Sequence, residues 1–246
     1  MAESRTKSDM SHARQRASVS CVNLQKFLWG DEQWTTRQRI VEIISNDPIF
    51  DKSSRPFSSR QERYKRGLAM ANRIYELREL HKWSAKETSL AFDLIDEPVP
   101  MTLHNIAFEP VVMSQGSPEL IAKYGALVAN RGILGCYLQT ELGHGTNVSS
   151  LETTATYLPD TQEFEIHSPT LTSSKWWIGG LGKTSTHGVV QARLILPSGM
   201  DVGPHLFFVQ LRSLKDHSMP SRHYHGRYWS EGYGGLRSCG QWLRSI

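Results

Sequence analysis

Cysteine is scarce. Cys21, Cys136 and Cys239 are the only three in 246 residues, far apart and odd in number. They offer neither a disulfide framework nor C-x-x-C metal spacing, and they fit a reducing compartment. No apolar run approaches the roughly 20 residues of a membrane-spanning helix. The N-terminus, MAESRTKSDMSHARQRAS, lacks the apolar stretch of a secretory signal. A basic binding face is missing too. The net charge is +4, but six Lys/Arg against two Asp/Glu from Arg212 onward account for all of it, leaving residues 1–211 neutral overall. A charge excess confined to a tail argues against nucleic acid as a partner.

What is present is an ordinary globular composition, 39% hydrophobic and 21% charged. Residues 1–18 are polar and are expected to be a disordered tail. Helical periodicity follows. TTRQRIVEIISN places Ile40, Ile43 and Ile44 on one face, after a candidate cap at Thr36 and ahead of Pro48. SRQERYKRGLAMANRIYELRELHKW predicts a longer helix with a stripe of Tyr64, Leu68, Ala71 and Tyr75, widened by Ile74 and Leu77. Residues 102–108 predict a short buried helix. Ser117 and Pro118 open a third long helix carrying Leu120, Ile121, Tyr124, Leu127 and Val128, with Gly132 as its left-handed terminator.

The period then changes. TTATYL and EFEIHS alternate around the turn sequence PDTQ and predict a hairpin. HGVVQARLILP and HLFFVQLRSL predict two further strands. Helices first and strands second define an α+β fold: helical residues 19–135, an antiparallel β-domain at 136–216, and a divergent tail at 217–246.

Two segments stand apart from this scaffold. CYLQTELGHGTN, Cys136 to Asn147, combines two glycines, one carboxylate, a histidine and two threonines. Gly143 and Gly145 let backbone come close to a ligand and take positive φ, and free N–H groups in such a loop favour anionic or electron-rich atoms. A tight turn leaving a sheet would use the same residues. Ser149 and Ser150 near His144 and Glu141 bring a hydrolase triad to mind, but the strand–turn–helix elbow is absent. His217, His223 and His225 lack the neighbouring Cys or carboxylates of a metal site, so no metal is expected.

The second segment, SPTLTSSKWWIGGLGKTSTHGVV from Ser168 to Val190, decides between these readings. QTELGHGTN followed by this run resembles the acyl-CoA oxidase family, the peroxisomal branch of the acyl-CoA dehydrogenase superfamily, over about residues 20 to 217. The resemblance implies an N-terminal helical domain, a middle β-domain with FAD at its edge, C-terminal helical domains, and a homodimer. It implies α,β-desaturation of a fatty acyl-CoA. A carboxylate takes the α-proton, the β-hydride goes to the flavin, and molecular oxygen takes the electrons as hydrogen peroxide. It places Thr140 against the flavin, with Gln139 and Glu141 contributing main chain, and Thr146 facing the acyl-CoA. Trp177 is implied to pack beside the flavin and Gly179 to approach it; a core aromatic pair is the other reading of KWW, and it fits Trp176 better than Trp177. Related dehydrogenases carry a hydroxyl residue where Gly179 stands, and its loss is expected to open space for oxygen.

The resemblance also implies what is missing. The family's catalytic base is a glutamate in the C-terminal helical half, beyond residue 246, so no catalytic residue is assigned and the chain is expected to be C-terminally truncated and inactive alone. The family pattern stops after FFVQLRSLKDHS. The tail beyond it is expected to be either a coding region read in another frame or a splice variant. The chain ends Arg-Ser-Ile rather than in a Ser-Lys-Leu-type signal, so peroxisomal location follows from the resemblance alone. A flavin- or acyl-CoA-binding fragment without catalysis, and an acyl-CoA dehydrogenase, are the competing expectations.

Overall fold

The structure, a computed structural model, describes residues 2–95 and 97–219 and the strand at 241–244. The chain divides into two compact units, Met1–Glu97 and Pro98–Ile246.

The first unit is helical: α1 (Ala2–Gln15), α2 (Cys21–Trp29), α3 (Asp31–Asn46), α4 (Arg60–His81) and α5 (Ala85–Leu94). Where composition predicted a disordered tail, α1 forms, with Ala, Glu, Arg, Lys, Met and Gln at eight of its fourteen positions and His12 and Arg14 in its last turn. Its residues from Arg5 on are exposed. Helix α3 starts at Asp31, not near Thr36, because Asp31 and Glu32 supply a favourable acidic first turn. Helices α4 and α5 both begin with a capping box, Ser59 with Glu62 and Ser84 with Glu87. The buried face of α4 is Gly67, Met70, Ala71, Ile74 and Leu77. Tyr64, Leu68 and Tyr75, expected there, lie one step around the helix and are only half-buried. Ile40, Ile44, Phe50, Met70, Ile74, Leu77, Trp83 and Ala91 form the core. Buried Glu97 closes the unit, accepting from Arg63 at 3.2 and 3.1 Å and pairing with Arg55 at 3.2 Å.

The second unit wraps a sheet. A π-helical turn (His104–Phe108) runs into α6 (Glu109–Gln115), followed by α7 (Pro118–Ala129). Ser117 caps α7 as expected. The left-handed residue after it is Arg131, at φ 59°, and not Gly132. Leu127, placed in the apolar stripe by periodicity, is exposed. The strands are β1 (Gly135–Leu138), β2 (Thr154–Leu158), β3 (Glu163–His167), β4 (His187–Ile195), β5 (Asp201–Gln210) and β6 (Gln241–Arg244). Their order is β1-β4-β2-β3-β6, with β5 pairing β4. The sheet is mixed, which corrects the antiparallel expectation: β1 and β2 both run parallel to β4. Long excursions precede β4, and parallel neighbours need such connections. The predicted hairpin is β2–β3.

Alternation sorts the strand residues between two cores. Val189 and Phe208 join Phe108, Val112, Leu120, Val128 and Ile133 on the helix-covered face. Val190 and Val209 join Leu138, Ala155, Ile178, Leu181 and Leu211 on the other. The π turn is fastened to β1 by His104. The Gly135 N–H donates to Nδ1 at 3.0 Å, and Nε2 stands 3.2 Å from the Val128 carbonyl. An Nδ1 that accepts leaves the proton on Nε2, so the ring is neutral. Burial, with Arg131 nearby, pushes its pKa down to about 4. Burial does the same to His187.

Two outcomes follow for this unit. Both histidines titrate near 6.5 when unfolded and near 4 when folded. Their stabilisation is complete above 6.5 and is lost as pH falls toward 4, by up to about 3 kcal/mol each. Urea midpoints between pH 7 and 4.5 should fall accordingly, and a flat profile would contradict the buried neutral rings. Secondly, a Cβ on Gly135 would stand 2.1 Å from Phe108 Cγ. Gly135→Ala should therefore cost about 1–3 kcal/mol, read by the same titration.

Candidate functional site

Strand β1 ends at Leu138 and delivers Gln139 and Thr140 into the first motif loop. A narrow turn follows: Glu141 N–H donates to the His144 carbonyl and His144 N–H to the Glu141 carbonyl, both at 3.2 Å. The second motif lies directly against this turn. Leu142 N–H donates to the Ser174 carbonyl (2.9 Å), Gly143 N–H to the Thr172 carbonyl (2.9 Å), and Trp176 N–H to the Thr140 carbonyl (3.0 Å). The separation in sequence between Thr140 and Trp176 is therefore closed by a direct backbone bond.

Gly143 serves this closure. A Cβ there would meet the Thr172 Cβ at 2.9 Å. The role is close approach between the two loops, and neither Gly143 nor Gly145 takes the positive φ expected of it. Beyond Gly145, which has open space on its Cβ side, Thr146 is exposed.

A buried ion pair joins the loops. Lys175 Nζ donates to Glu141 Oε1 (3.0 Å), to the Gln139 carbonyl (3.1 Å) and to the Gln191 carbonyl of β4 (2.7 Å). Glu141 also accepts from the Glu152 N–H (2.8 Å) and the Thr153 N–H (3.0 Å), and its Oε2 is 3.3 Å from His144 Nε2. The Lys175 and Glu141 side chains are 1% and 0% exposed. Burial alone would raise the Glu141 pKa, but the Glu152 and Thr153 bonds and the Lys175 charge outweigh it and hold the carboxyl below its usual range. Burial lowers Lys175, with partial compensation from Glu141. The same contact thus favours the ionised form of each group against the burial that opposes it. Around the pair, His144 Nδ1, Ser174 Oγ and Gln191 Oε1 are buried without a hydrogen-bond partner.

The aromatic residues separate sharply. Trp176 is half-buried, Trp177 is 76% exposed, and Ile178 is buried. Trp177 sits at φ 64°, a left-handed conformation that costs a bulky residue about 1 kcal/mol or more. Its exposed ring offers a face on which a planar ligand could stack. Gly179 is exposed, but an added Cβ would meet Leu103 Cδ1 at 3.0 Å. The free space expected on that side is taken by Leu103, the residue leading into the π turn.

Thus Gln139, Thr140 and Trp177 come together, with Gly179 two residues on. Sequence reasoning did not pair the side chains of Glu141 and Lys175. The available signal was charge: Glu141 is the sole acidic residue of the first motif, and Lys175 lies in an otherwise hydroxyl and aromatic run. Among the described residues no group of three potential ligands could hold a metal. His217 points its Nε2 at the Lys183 carbonyl, 2.6 Å away. His223 and His225 lie outside the described residues, as does most of the 217–246 tail. An apolar groove of about 300 Å³ lies elsewhere in the unit, lined by Val112, Leu120, Val189, Leu206 and Phe208. It shares no residue with the motif loops.

Helices followed by a β unit with these paired loops are similar to the N-terminal part of acyl-CoA oxidases. Residues 22–134 match the acyl-coenzyme A oxidase N-terminal family. Peroxisomal acyl-coenzyme A oxidase 1 of Arabidopsis thaliana is 47% identical over 203 residues, covering 80% of this chain and 30% of that protein. Peroxisomal acyl-coenzyme A oxidase 2 of Rattus norvegicus is 41% identical over 213 residues, covering 85% and 31%. The crystal structure of an acyl-CoA oxidase from tomato superposes with a TM-score of 0.84 at 39% identity, over 96% of this chain and 37% of the other. Acyl-CoA oxidase-1 of Caenorhabditis elegans, complexed with FAD and ATP, gives 0.81 at 31% identity, over 93% and 36%. The chain thus spans about a third of the length of these relatives.

The strain at Trp177 yields a prediction. Trp177→Gly removes the left-handed penalty and an exposed ring, so stability should stay level or rise by up to about 1 kcal/mol. A clear loss of stability in a thermal melt would show that the ring has a packing role.

Proposed function

We propose that these residues form the cofactor-facing part of an FAD-dependent acyl-CoA oxidase. That enzyme converts a fatty acyl-CoA to the trans-2-enoyl-CoA with reduction of oxygen to hydrogen peroxide. The names of the Arabidopsis and rat relatives favour a place in peroxisomal fatty-acid β-oxidation. The observation that carries the reading is the direct bonding of the Thr140 loop to the Trp176–Trp177 segment. Two motifs diagnostic only as a pair form a single local structure.

The residues suit a flavin. The loops offer backbone polar groups, an exposed aromatic ring and the unpartnered His144 Nδ1. Bound flavin would accept a hydride from the acyl β-carbon and pass electrons on to oxygen. The chain's own contribution is placement. Gln139 and Thr140 present main chain and hydroxyl, Trp177 offers its face, and Gly179 keeps the adjoining backbone bare. Thr146, exposed beyond the turn, meets the acyl-CoA. The role assigned to these residues is cofactor holding, and none of them is assigned proton removal.

FAD titration into the purified chain, followed by flavin fluorescence quenching, tests the reading. Saturable binding is expected, with no peroxide when a saturated acyl-CoA is added under air. Absence of FAD binding rejects the proposal. Peroxide formation would place a competent base within these residues.

A further inference from the structure

We propose that Glu141 and Lys175 are positioning residues, a buried clasp that fixes the peptides on both sides of Thr140 and the start of the Trp177 segment. The cofactor consequence rests on the flavin reading; the clasp itself does not.

The geometry is saturated. An ammonium has three donors, and Lys175 spends them on three places: the end of β1 (Gln139), the turn (Glu141) and the middle of β4 (Gln191). Glu141 in turn gathers the backbone leading into β2 through Glu152 and Thr153. One pair therefore ties five chain segments together. Stability does not account for it, because buried ion pairs often do no better than apolar residues of equal size. What charge and directionality supply is orientation. The peptides are trans, so a Gln139 carbonyl aimed at Lys175 turns the Thr140 N–H the opposite way. The next peptide is held by Trp176 N–H on the Thr140 carbonyl. Trp177 follows immediately, pinned between that bond and buried Ile178.

The decisive variant is Glu141→Gln combined with Lys175→Met, which removes both charges at nearly constant volume. Amide hydrogen exchange on the full chain reads the clasp, with β4–β5 amides such as Val190 and Val209 as the reference. The reference should stay protected, while Leu142, Gly143 and Trp176 exchange at least about tenfold faster. FAD affinity should fall by about tenfold or more. Lys175→Arg keeps the charge but alters the donor geometry, and should not restore either property. Should the double variant unfold, Glu141→Gln alone carries the test with the same amides. Unchanged protection of the loop amides overturns the clasp, and unchanged FAD affinity in a folded variant overturns its consequence for the cofactor. If the parent chain does not bind FAD, the functional reading fails, and the exchange data still decide the clasp.

Discussion

The second unit depends on one buried pair of opposite charges. Taking an ammonium and a carboxylate out of water costs several kcal/mol each, and attraction repays this only when every remaining donor and lone pair is used. Lys175 and Glu141 meet that condition through backbone groups from separate stretches of chain. The condition works in reverse as a constraint on folding. The pair is tolerable only when β1, β4, the approach to β2 and both motif loops are all in place. A hydrophobic contact would accept many arrangements; this one accepts few.

The sheet makes that arrangement reachable. Strand β5 pairs along the whole of β4, while β1 and β2 both run parallel to it and pair with its successive stretches 187–190 and 193–195, so the loop leaving β1 and the segment leading back to β4 converge on the same strand. Gln191, on β4, meets the Lys175 side chain from below. On the opposite face the π turn rests on β1, with the Phe108 ring in the space of a missing Gly135 Cβ and His104 bridging to α7. The strand that presents the first motif is thereby fixed from both sides. Burial that suppresses the charge of His104 and His187 serves the helix face. On the other side charge is retained because it is fully bonded.

Much of this was legible in the sequence, and the parts that were not have identifiable causes. Caps with a chemical signature were readable: Ser117-Pro118 marked the start of α7, and the hairpin strands were marked by alternation around PDTQ. The capping box Ser84-x-x-Glu87 announces α5 equally well but borders a short helix of weak periodicity. The buried face of α4 was misplaced because apolar residues at 64, 67, 68, 70, 71, 74, 75 and 77 satisfy two overlapping helical templates. Strand direction was beyond local reasoning, since nothing within HGVVQARLI records which neighbours it takes. At the site, the motifs identified Thr140 and Trp177 as partners through their resemblance to a family. The clasp escaped notice because a glutamate and a lysine far apart in sequence look like two surface charges until the sheet brings them together.

The division of the chain is not where the family boundary falls, and packing explains the difference. The oxidase N-terminal match ends at residue 134, among the last residues before β1, whereas the compact units part at Glu97 and Pro98. Helices α6 and α7 belong to the helical stretch in sequence order, yet their apolar residues Val112, Leu120 and Val128 pack with Val189 and Phe208 of the sheet. Severing the chain at 134 would part His104 from Gly135 and strip one face of the sheet. Severing it at 97 leaves Glu97 with Arg55 and Arg63 and each hydrophobic core whole. The unit that holds the motif loops therefore includes its own helical cover. The rigidity of Thr140 and Trp177 comes from residues on both faces of one sheet, and the β-strands alone would not supply it.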